Sequence, residues 1–554
     1  MKLLNETWNG KNGKTASMVN TDRLNNSSTY PTREAIEGWL IDKIADSLEI
    51  KPHEIDTSKD FADYGLDSVE AINISGELEN YLGCRLSPTL LWDYQNIEAL
   101  ARYLATEPEN KSLNVNGNGN GLDVVSALPE LDLDLSMSDG IKQDLDTDRP
   151  IPEEYYSFDK LPEYQQLQLD LDRVENLGSG NPFFIPQEKV VNDTTVVNGR
   201  ELINFATYNY IGMCGDRQVD RGAIEAIARY GTSASASRLI AGEKPLHREL
   251  ETAIANFIGV ENSIVMVGGH ATNVTTIGHL FGKDDLVLYD ALSHNSILQG
   301  CFTSGASLVA FPHNDFETLA EILRDRRHRY QKVLVVIEGV YSTDGDIADL
   351  PAFIALKKKY KTFLMVDEAH SMGTIGKTGR GIGEYFGVEP TDVDIWMGTL
   401  SKSFASCGGY IAGSSALVQY LRYTAPGFVF SVGISPPNAG ATLAAIEVLK
   451  AEPHRVTQLQ NNAKLFLTLA KEKSLNTGMS QDSPVIPIIV GDSLKSIRLS
   501  QNMFKRGINV PFIIYPSVPQ NGARLRFFVT CNHTEEQIRL TVDILAEELA
   551  KLNC

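Results

Sequence analysis

The feature that most constrains this chain is the alternation of short apolar runs with helical stretches, which begins near residue 155. The runs include Ser263–Val267, Asp285–Tyr289, Lys332–Glu338 and Thr362–Val366. Runs this short and apolar predict the buried strands of a mostly parallel sheet, and the stretches between them predict the helices that cover it. Polar or glycine-rich residues follow each run, at the edge where open α/β sheets bind ligands. This part of the chain therefore predicts an α/β enzyme.

Residues 33–106 show a different pattern, which predicts a small all-α bundle. Apolar side chains recur every four residues in the first helix, a spacing that gives one buried stripe. The second helix is predicted to start near Asp67, and the third to run from about Ile97 to Leu104. The predicted inward positions of the first two helices are Ile36, Leu40, Ile44, Leu48, Val69, Ile72, Leu78 and Leu82.

Two segments of biased composition flank the predicted bundle. Residues 1–32 are rich in Asn, Ser and Thr and lack an apolar core, so they predict a disordered leader and not a signal peptide. Residues 107–154 contain an Asn-Gly run at 114–121 and alternating Asp and Leu near 130–135, which predicts a flexible acidic linker. The Asp-Leu alternation is also compatible with a docking strand. Residues 155–554 then form the enzyme, with a large domain at about 205–445 and a smaller C-terminal α/β domain at about 446–554.

The net charge of −21 is concentrated in the first third of the chain. Residues 1–163 contain 14 Lys and Arg against 31 Asp and Glu, whereas the remaining residues contain 36 against 40. This acidity argues against nucleic-acid binding, which needs clustered basic residues. The six cysteines are scattered without metal-ligand spacing, which predicts free thiols, no metal site and a cytoplasmic location. The longest aliphatic run, Val333–Ile337, is too short to span a membrane.

Ser68 lies in the segment Gly65-Leu-Asp-Ser68, directly before a predicted helix. One interpretation is structural, because Asp67 and Glu70 have the spacing of a capping box. The acidic helical context of this segment, followed by a linker, resembles an acyl carrier protein. That resemblance implies a 4'-phosphopantetheine arm on Ser68, and a helix N-terminus stabilises its phosphate. Glu70, Glu77 and Glu79 then offer an acidic face to basic partners, such as a phosphopantetheinyl transferase or acyl-loading enzymes, or are simply solvated.

A second motif combines an aspartate with a lysine that lies 35 residues further along the chain. Asp367 follows an apolar run and begins Asp367-Glu-Ala-His370, and Lys402 lies in Gly398-Thr-Leu-Ser-Lys402. Pyridoxal phosphate needs an amine for its aldehyde, a carboxylate for its ring nitrogen, and hydroxyl and backbone N–H groups for its phosphate. An isolated Ser-Lys pair is usually a surface feature, but the joint pattern predicts a pyridoxal phosphate site.

Residues from about 160 to 554 resemble the α-oxoamine synthases, a family of fold-type I pyridoxal phosphate enzymes. The resemblance rests on a series of stretches in order: Asn209-Tyr-Ile-Gly, Ser237-Arg-Leu-Ile-Ala-Gly, Gly269-His-Ala-Thr-Asn273, Asp290-Ala-Leu-Ser-His294, Glu338-Gly-Val-Tyr-Ser342, Asp367-Glu-Ala-His370, Thr399-Leu-Ser-Lys402 and Ala523-Arg-Leu-Arg526. It implies a mostly parallel sheet between helices, followed by a smaller C-terminal domain. It also implies a homodimer with active sites at the subunit interface.

The resemblance assigns roles around the cofactor. Lys402 forms the Schiff base and moves the Cα proton, and Asp367 pairs with the pyridine nitrogen. The remaining groups are His370 and Ser342 at the phenolic oxygen, His294 on the ring face, and Gly269, His270 and Thr399 at the phosphate. Ser431 is expected to reach the phosphate of the partner subunit, although Val432-Gly-Ile-Ser departs from the family's hydroxyl-rich pattern.

The resemblance also assigns groups to the amino-acid substrate. Arg526 matches the carboxylate-binding arginine, since a guanidinium fork suits a carboxylate, and Arg524 is the competing candidate. Asn209 helps to position the substrate or makes a structural hydrogen bond. Ser237 stands where glycine-using members have Thr, which favours alanine or serine over glycine. Two departures, His270 for an aromatic ring and Ser233-Ala-Ser-Ala-Ser237 for a Gly-rich loop, are expected to reshape the pocket.

The implied reaction is a decarboxylative condensation of an amino acid with an acyl thioester. The products are an α-aminoketone, CO2 and a free thiol. The predicted carrier domain makes an acyl group on Ser68 the expected donor, because tethering raises its local concentration. Two alternatives are another fold-type I activity, either a transaminase or a lyase, and a carrier scaffold whose enzyme half is vestigial.

Overall fold

The computed structural model describes residues 31–47, 50–59, 61–64, 74, 78, 81–82, 96–105, 151–175, 181–515 and 517–553. Two compact units lie within Met1–Val125 and Ser126–Cys554. The predicted leader and linker fall almost entirely outside the described residues and stay predictions.

The α-helices of the described residues are α1 (Arg33–Ser47), α2 (Ile97–Ala105), α3 (Pro162–Glu175), α4 (Arg217–Tyr230), α5 (Pro245–Ile258), α6 (Gly269–Leu280), α7 (Asn295–Ser304), α8 (Phe316–Arg326), α9 (Leu350–Tyr360), α10 (Ile382–Phe386), α11 (Ser415–Thr424), α12 (Pro426–Val429), α13 (Pro436–Ala451), α14 (His454–Glu472), α15 (Ser493–Lys505) and α16 (Glu535–Asn553). The strands are β1 (Thr194–Val197), β2 (Arg200–Asn204), β3 (Asn262–Met266), β4 (Leu286–Asp290), β5 (Ser307–Phe311), β6 (Val333–Glu338), β7 (Phe363–Asp367), β8 (Ile395–Thr399), β9 (Gly409–Gly413), β10 (Val485–Gly491), β11 (Ile508–Asn509), β12 (Phe512–Ile513) and β13 (Ala523–Phe528). Short 3₁₀ or π turns occur at Pro52–Glu54, Phe61–Tyr64, Glu153–Tyr155, Phe158–Lys160, Arg327–Arg329, Pro390–Asp392, Gln520–Gly522 and Arg238–Gly242.

The N-terminal unit is helical, as the sequence predicts. The stripe of α1 is fully buried at Ile36, Leu40 and Ile44, and it shares one core with α2. The same core contains Phe61, Ile74, Leu78, Leu82, Ile97, Leu100, Ala101 and Leu104. The predicted inward residues Leu48, Val69 and Ile72, together with Asp67 and Ser68, lie outside the described residues.

A seven-stranded sheet with the order β3-β9-β8-β7-β6-β4-β5 forms the centre of the second unit. Parallel pairs join β5, β4, β6, β7 and β8, whereas β9 is antiparallel to both β8 and β3. The predicted mostly parallel sheet is therefore confirmed. Its strands are continuously apolar because helices cover both faces: one core contains side chains of α4, α5, α8, α9 and α13, and the other contains those of α6, α7 and α11.

A third core lies beside the antiparallel sheet β10-β13-β12 and helices α14, α15 and α16. Phe466, Ile486, Leu525, Phe527 and Leu545 are among its buried side chains. A small sheet, β1-β2-β11, joins the start of the enzyme part to this C-terminal region. The arrangement matters for the site because β13 carries the two candidate substrate arginines. No helix within the described ranges has the length and apolarity needed to cross a membrane.

Candidate active site

Lys402 lies in the loop between β8 and β9, at the carboxyl edge of the parallel strands. Its amine is 5.4 Å from the centroid of the Tyr208 ring. Burial, with a smaller contribution from the charge of Arg526, lowers the pKa of Lys402 to about 8 against the opposing effect of Asp367 and Glu338. A lowered pKa raises the fraction of neutral amine at physiological pH, and the neutral amine is the form that attacks an aldehyde.

Asp367 ends β7 and is buried directly beside Glu338, because the two residues are register partners on adjacent parallel strands. Its carboxylate accepts a hydrogen bond from the Ala369 backbone N–H at 2.9 Å. It accepts a second bond from the Asn273 side-chain amide at 2.8 Å. These donors compensate the burial of a charge that suits a protonated ring nitrogen.

His370 follows Asp367 by three residues, and His294 lies between β4 and α7. The Tyr210 hydroxyl lies 2.7 Å from Nδ1 of His370, and burial, reinforced by the charges of Lys402 and Arg526, lowers the pKa of His370 well below its ordinary value. His294 precedes α7, and Nδ1 of its ring lies 2.7 Å from the Ser296 hydroxyl oxygen. Partial burial likewise lowers the pKa of His294. Both imidazoles are therefore neutral at pH 7.

The N-terminus of α6 forms a cradle that fits a phosphate. The helix begins at Gly269, and no side chain among the described residues caps it at Gly268. Gly269 packs so closely against Thr399 that a Cβ atom there would lie 2.7 Å from the Thr399 hydroxyl oxygen. That oxygen is 2.8 Å from the Ser401 hydroxyl. Free backbone N–H groups beside two hydroxyls are suited to an anion, and His270 lies exposed at the same end.

The two candidate arginines of β13 have different surroundings. Arg524 is buried and donates to the Asp344 carboxylate at 2.5 Å. Arg526 donates to the Ser342 carbonyl at 2.8 Å, and its buried Nε has no hydrogen-bond partner among the residues that the structure describes. Within the described residues Arg526 has no acidic partner, so its guanidinium is available for a carboxylate, whereas that of Arg524 is already paired.

Three predicted residues contribute little to this cluster. The side-chain amide of Asn209 makes structural hydrogen bonds to nearby backbone. It accepts from the Cys214 backbone N–H at 3.0 Å and donates to the carbonyls of Val191 and Cys214. Ser237 starts the π turn and forms a β-bridge with Val432. The Ser431 hydroxyl lies 3.3 Å from the Val432 carbonyl oxygen. Ser68 lies outside the described residues.

The structure adds site residues for which sequence analysis assigns no role: Tyr208, Tyr210, Asn273, Ser296 and Glu338. Tyr208 and Tyr210 flank the motif residue Asn209, and Asn273 ends the stretch Gly269–Asn273. Glu338 ends the apolar run of β6, and a charged residue at the end of a buried strand is a signal that could have identified it. Burial and the neighbouring Asp367 raise the pKa of Glu338 well above its ordinary value.

These residues together fit pyridoxal phosphate. An amine of lowered pKa, a buried carboxylate and an uncapped helix N-terminus with hydroxyls supply the three contacts that the cofactor needs.

Comparison with protein families supports the same cofactor. The aminotransferase class I and II family matches residues 200–545, and the phosphopantetheine attachment site family matches residues 38–104. The second match bears on Ser68, which lies within it.

Individual relatives resemble the enzyme part only. The chain is 36% identical over 344 residues to 8-amino-7-oxononanoate synthase of Thermoanaerobacter pseudethanolicus, a match that covers 62% of this chain and 87% of that protein. It is 38% identical over 353 residues to serine palmitoyltransferase 3 of Caenorhabditis elegans, covering 61% and 69% respectively. Among solved structures, serine palmitoyltransferase from S. paucimobilis with bound PLP-myriocin aldimine matches with a TM-score of 0.67 and 30% identity, over 71% of this chain and 98% of that one.

Proposed function

This chain belongs to the aminotransferase class I and II family as a pyridoxal-phosphate-dependent α-oxoamine synthase, and we propose that its acyl donor is a thioester carried on its own Ser68. The observation that carries the proposal is that one chain contains both a phosphopantetheine attachment domain and the synthase. Because donor and catalyst are part of one chain, the acyl donor does not have to be captured from solution. Its effective concentration at the active site is then roughly in the millimolar range.

The proposed reaction forms one carbon–carbon bond and breaks another. The Cα of the amino acid bonds to the acyl carbon, and the thiolate leaves and takes up a proton. The bond from Cα to the carboxyl group then breaks, which releases CO2 and gives an α-aminoketone. When bound, pyridoxal phosphate supplies an electron sink for the electron pair at Cα.

Different residues of the chain contribute to different parts of this reaction. Lys402, whose neutral form is favoured by its lowered pKa, takes the Cα proton and later returns one. Asp367 holds the proton on the ring nitrogen, and Arg526 binds the substrate carboxylate. His370 and Ser342 hold the phenolic oxygen, and His294 covers the ring face. The N-terminus of α6 and Thr399 would hold the phosphate of the cofactor.

We propose alanine or serine as the amino acid, because Ser237 stands where the glycine-using members carry Thr. Rates with glycine, alanine and serine, measured at one acyl-donor concentration, separate these substrates. The fastest turnover with glycine would contradict this choice.

The enzyme is further proposed to act as a homodimer. Exposed apolar side chains cluster near Ser431: Phe430 is 86% exposed, Ile240 80% and Val432 51%. Exposed apolar groups this close together favour a protein partner, and a second copy would cover them beside the phosphate cradle.

The test of donor delivery compares Ser68→Ala with wild type. Holo-protein is loaded with an acyl thioester, an amino acid is added, and CO2 and aminoketone are measured. We expect Ser68→Ala to lose this activity, because it lacks the attachment hydroxyl, and Ser58→Ala in the same unit to keep it. Lys402→Ala should be inactive and lack the absorbance of lysine-bound cofactor. Ser68→Ala that matches wild type at equal donor concentration would contradict delivery from Ser68.

A further inference from the structure

Asn273 connects two parts of the site that lie on different elements. It lies on α6, is 1% exposed, and its side-chain amide carries two hydrogens. One is donated to Oδ2 of Asp367 at 2.8 Å, and the other to the Ser296 hydroxyl oxygen at 2.9 Å. The amide nitrogen therefore has no donor capacity left.

The hydrogen bond from Asn273 to Ser296 determines which group is the donor in the hydrogen bond between Ser296 and His294. Because the Ser296 oxygen accepts from Asn273, its single proton is free to be donated to Nδ1 of His294, 2.7 Å away. The backbone N–H of Ser296 also donates to that nitrogen at 3.2 Å. Nδ1 of His294 is thus an acceptor, which places the proton of the neutral ring on Nε2.

Glu338 fixes the same histidine from its backbone. The Glu338 carboxyl accepts from the His294 backbone N–H at 2.5 Å. The His294 loop is therefore held at its main chain by β6 and at its ring by Ser296. Only the ring contact depends on Asn273.

The carbonyl oxygen of the Asn273 amide is buried without a partner among the described residues. Turning the amide over would direct this oxygen at the Asp367 carboxylate, so repulsion keeps the present orientation. A buried asparagine that serves packing alone normally has its oxygen hydrogen-bonded.

We propose that Asn273 is a positioning residue that sets the orientation of the Asp367 carboxylate and the tautomer of His294 as one unit. Pyridoxal phosphate is then held at its ring nitrogen and on its ring face by groups that cannot change independently. This inference rests on the roles of Asp367 and His294 given under the proposed function.

A double-mutant cycle tests the connection. Asn273→Ala, Ser296→Ala and the double variant are stripped of cofactor, and pyridoxal phosphate is titrated back while its absorbance is recorded. We expect Asn273→Ala to weaken binding about 10- to 100-fold, the range for losing a hydrogen bond to a charged group, and to shift the absorbance maximum of the bound cofactor. The double variant should bind more tightly than the product of the two single losses predicts, because both remove the same link.

Thr276→Val is the matched control. Thr276 lies on the same helix, is fully buried, and its hydroxyl has no partner within the described residues. We expect its cofactor affinity to stay within twofold of wild type. Should Asn273→Ala fail to fold, Asn273→Ser serves in the same cycle, because serine keeps only one donor.

Two outcomes overturn the proposal: an Asn273→Ala protein that binds the cofactor as Thr276→Val does, or strictly additive losses in the cycle. Failure of the proposed function gives a different result, because wild type itself would then not bind pyridoxal phosphate through Lys402.

Discussion

At the scale of single residues, Arg524 and Arg526 show how two like side chains on one strand face acquire different surroundings. Arg524 forms a buried ion pair with Asp344. Arg526 lies over the Phe528 ring, 4.5 Å from its centroid, and its Nε has no partner in the described part of the chain. Sequence spacing alone leaves the two equivalent, because residues two apart on a strand point the same way.

Substitution of the two arginines should therefore have different effects. Arg526→Lys should raise the KM for the amino acid about 10- to 100-fold, because lysine cannot offer the paired donors of a guanidinium. Arg524→Ala should instead lower the free energy of unfolding by about 3 kcal/mol, since it leaves Asp344 buried and unpaired. Steady-state kinetics and urea unfolding measure the two effects. A larger KM change in Arg524→Ala than in Arg526→Lys would reverse the assignment.

At the scale of elements, a buried ion cluster ties together the segments that follow three parallel strands. His313, after β5, lies 2.9 Å from Asp290 at the end of β4 and 2.8 Å from Asp346 after β6. Burial lowers the pKa of His313, but the hydrogen bonds to both carboxylates outweigh it and raise the pKa to about 10. His313 is therefore charged at pH 7 and binds the three segments beside the active site.

The stability that His313 contributes depends on pH in a defined direction. Because the folded-state pKa lies above the unfolded value of about 6.5, the contribution is complete below that pH and is lost as pH rises through about 10. His313→Gln should cost about 3 kcal/mol of unfolding free energy at pH 7, and its difference from wild type should narrow as the pH rises from about 7 to about 10. Urea unfolding of both proteins, with exposed His328→Gln as control, measures this. A difference that grows with pH would contradict the charged state.

The secondary-structure elements also show which features of the fold and of the site could be predicted from the sequence. The apolar runs identify the strands of the central sheet, and the motifs identify Lys402, Asp367, His294 and His370. The link from Asn273 to Asp367 could not be predicted, because it depends on how α6 packs against the end of β7. The pairing of Glu338 with Asp367 likewise depends on strand order and register, which local patterns do not encode.

At the scale of the whole molecule, the negative charge distinguishes the first third of the chain from the enzyme part. The enzyme part is nearly neutral, whereas residues 1–163 carry most of the negative charge. Like charges keep such a chain soluble and let basic partners find it by electrostatic attraction. The carrier role proposed for this part of the chain would benefit from this property, because modifying and loading enzymes would have to find it.

The exposed apolar cluster of Phe430, Ile240 and Val432 allows the proposed homodimer to be tested. Phe430→Asp should convert the proposed dimer to monomers in sedimentation experiments, because a carboxylate in an apolar interface loses its hydration without gaining a partner. Leu540→Asp is the control, since Leu540 is 49% exposed and lies on α16, away in sequence from Phe430. A Phe430→Asp protein that sediments as wild type does, or a monomeric wild type, would exclude this face as the dimer contact.

The central claim is that the acyl group on Ser68 is consumed by the synthase in the same chain. A single-turnover experiment tests it directly: acyl-loaded holo-protein is mixed with alanine or serine, and the Ser68 peptide is followed by mass spectrometry together with the aminoketone. The account predicts that the acyl mass disappears from Ser68 as aminoketone forms, one for one. An acyl group that stays on Ser68 while the same protein converts free acyl thioesters would contradict it.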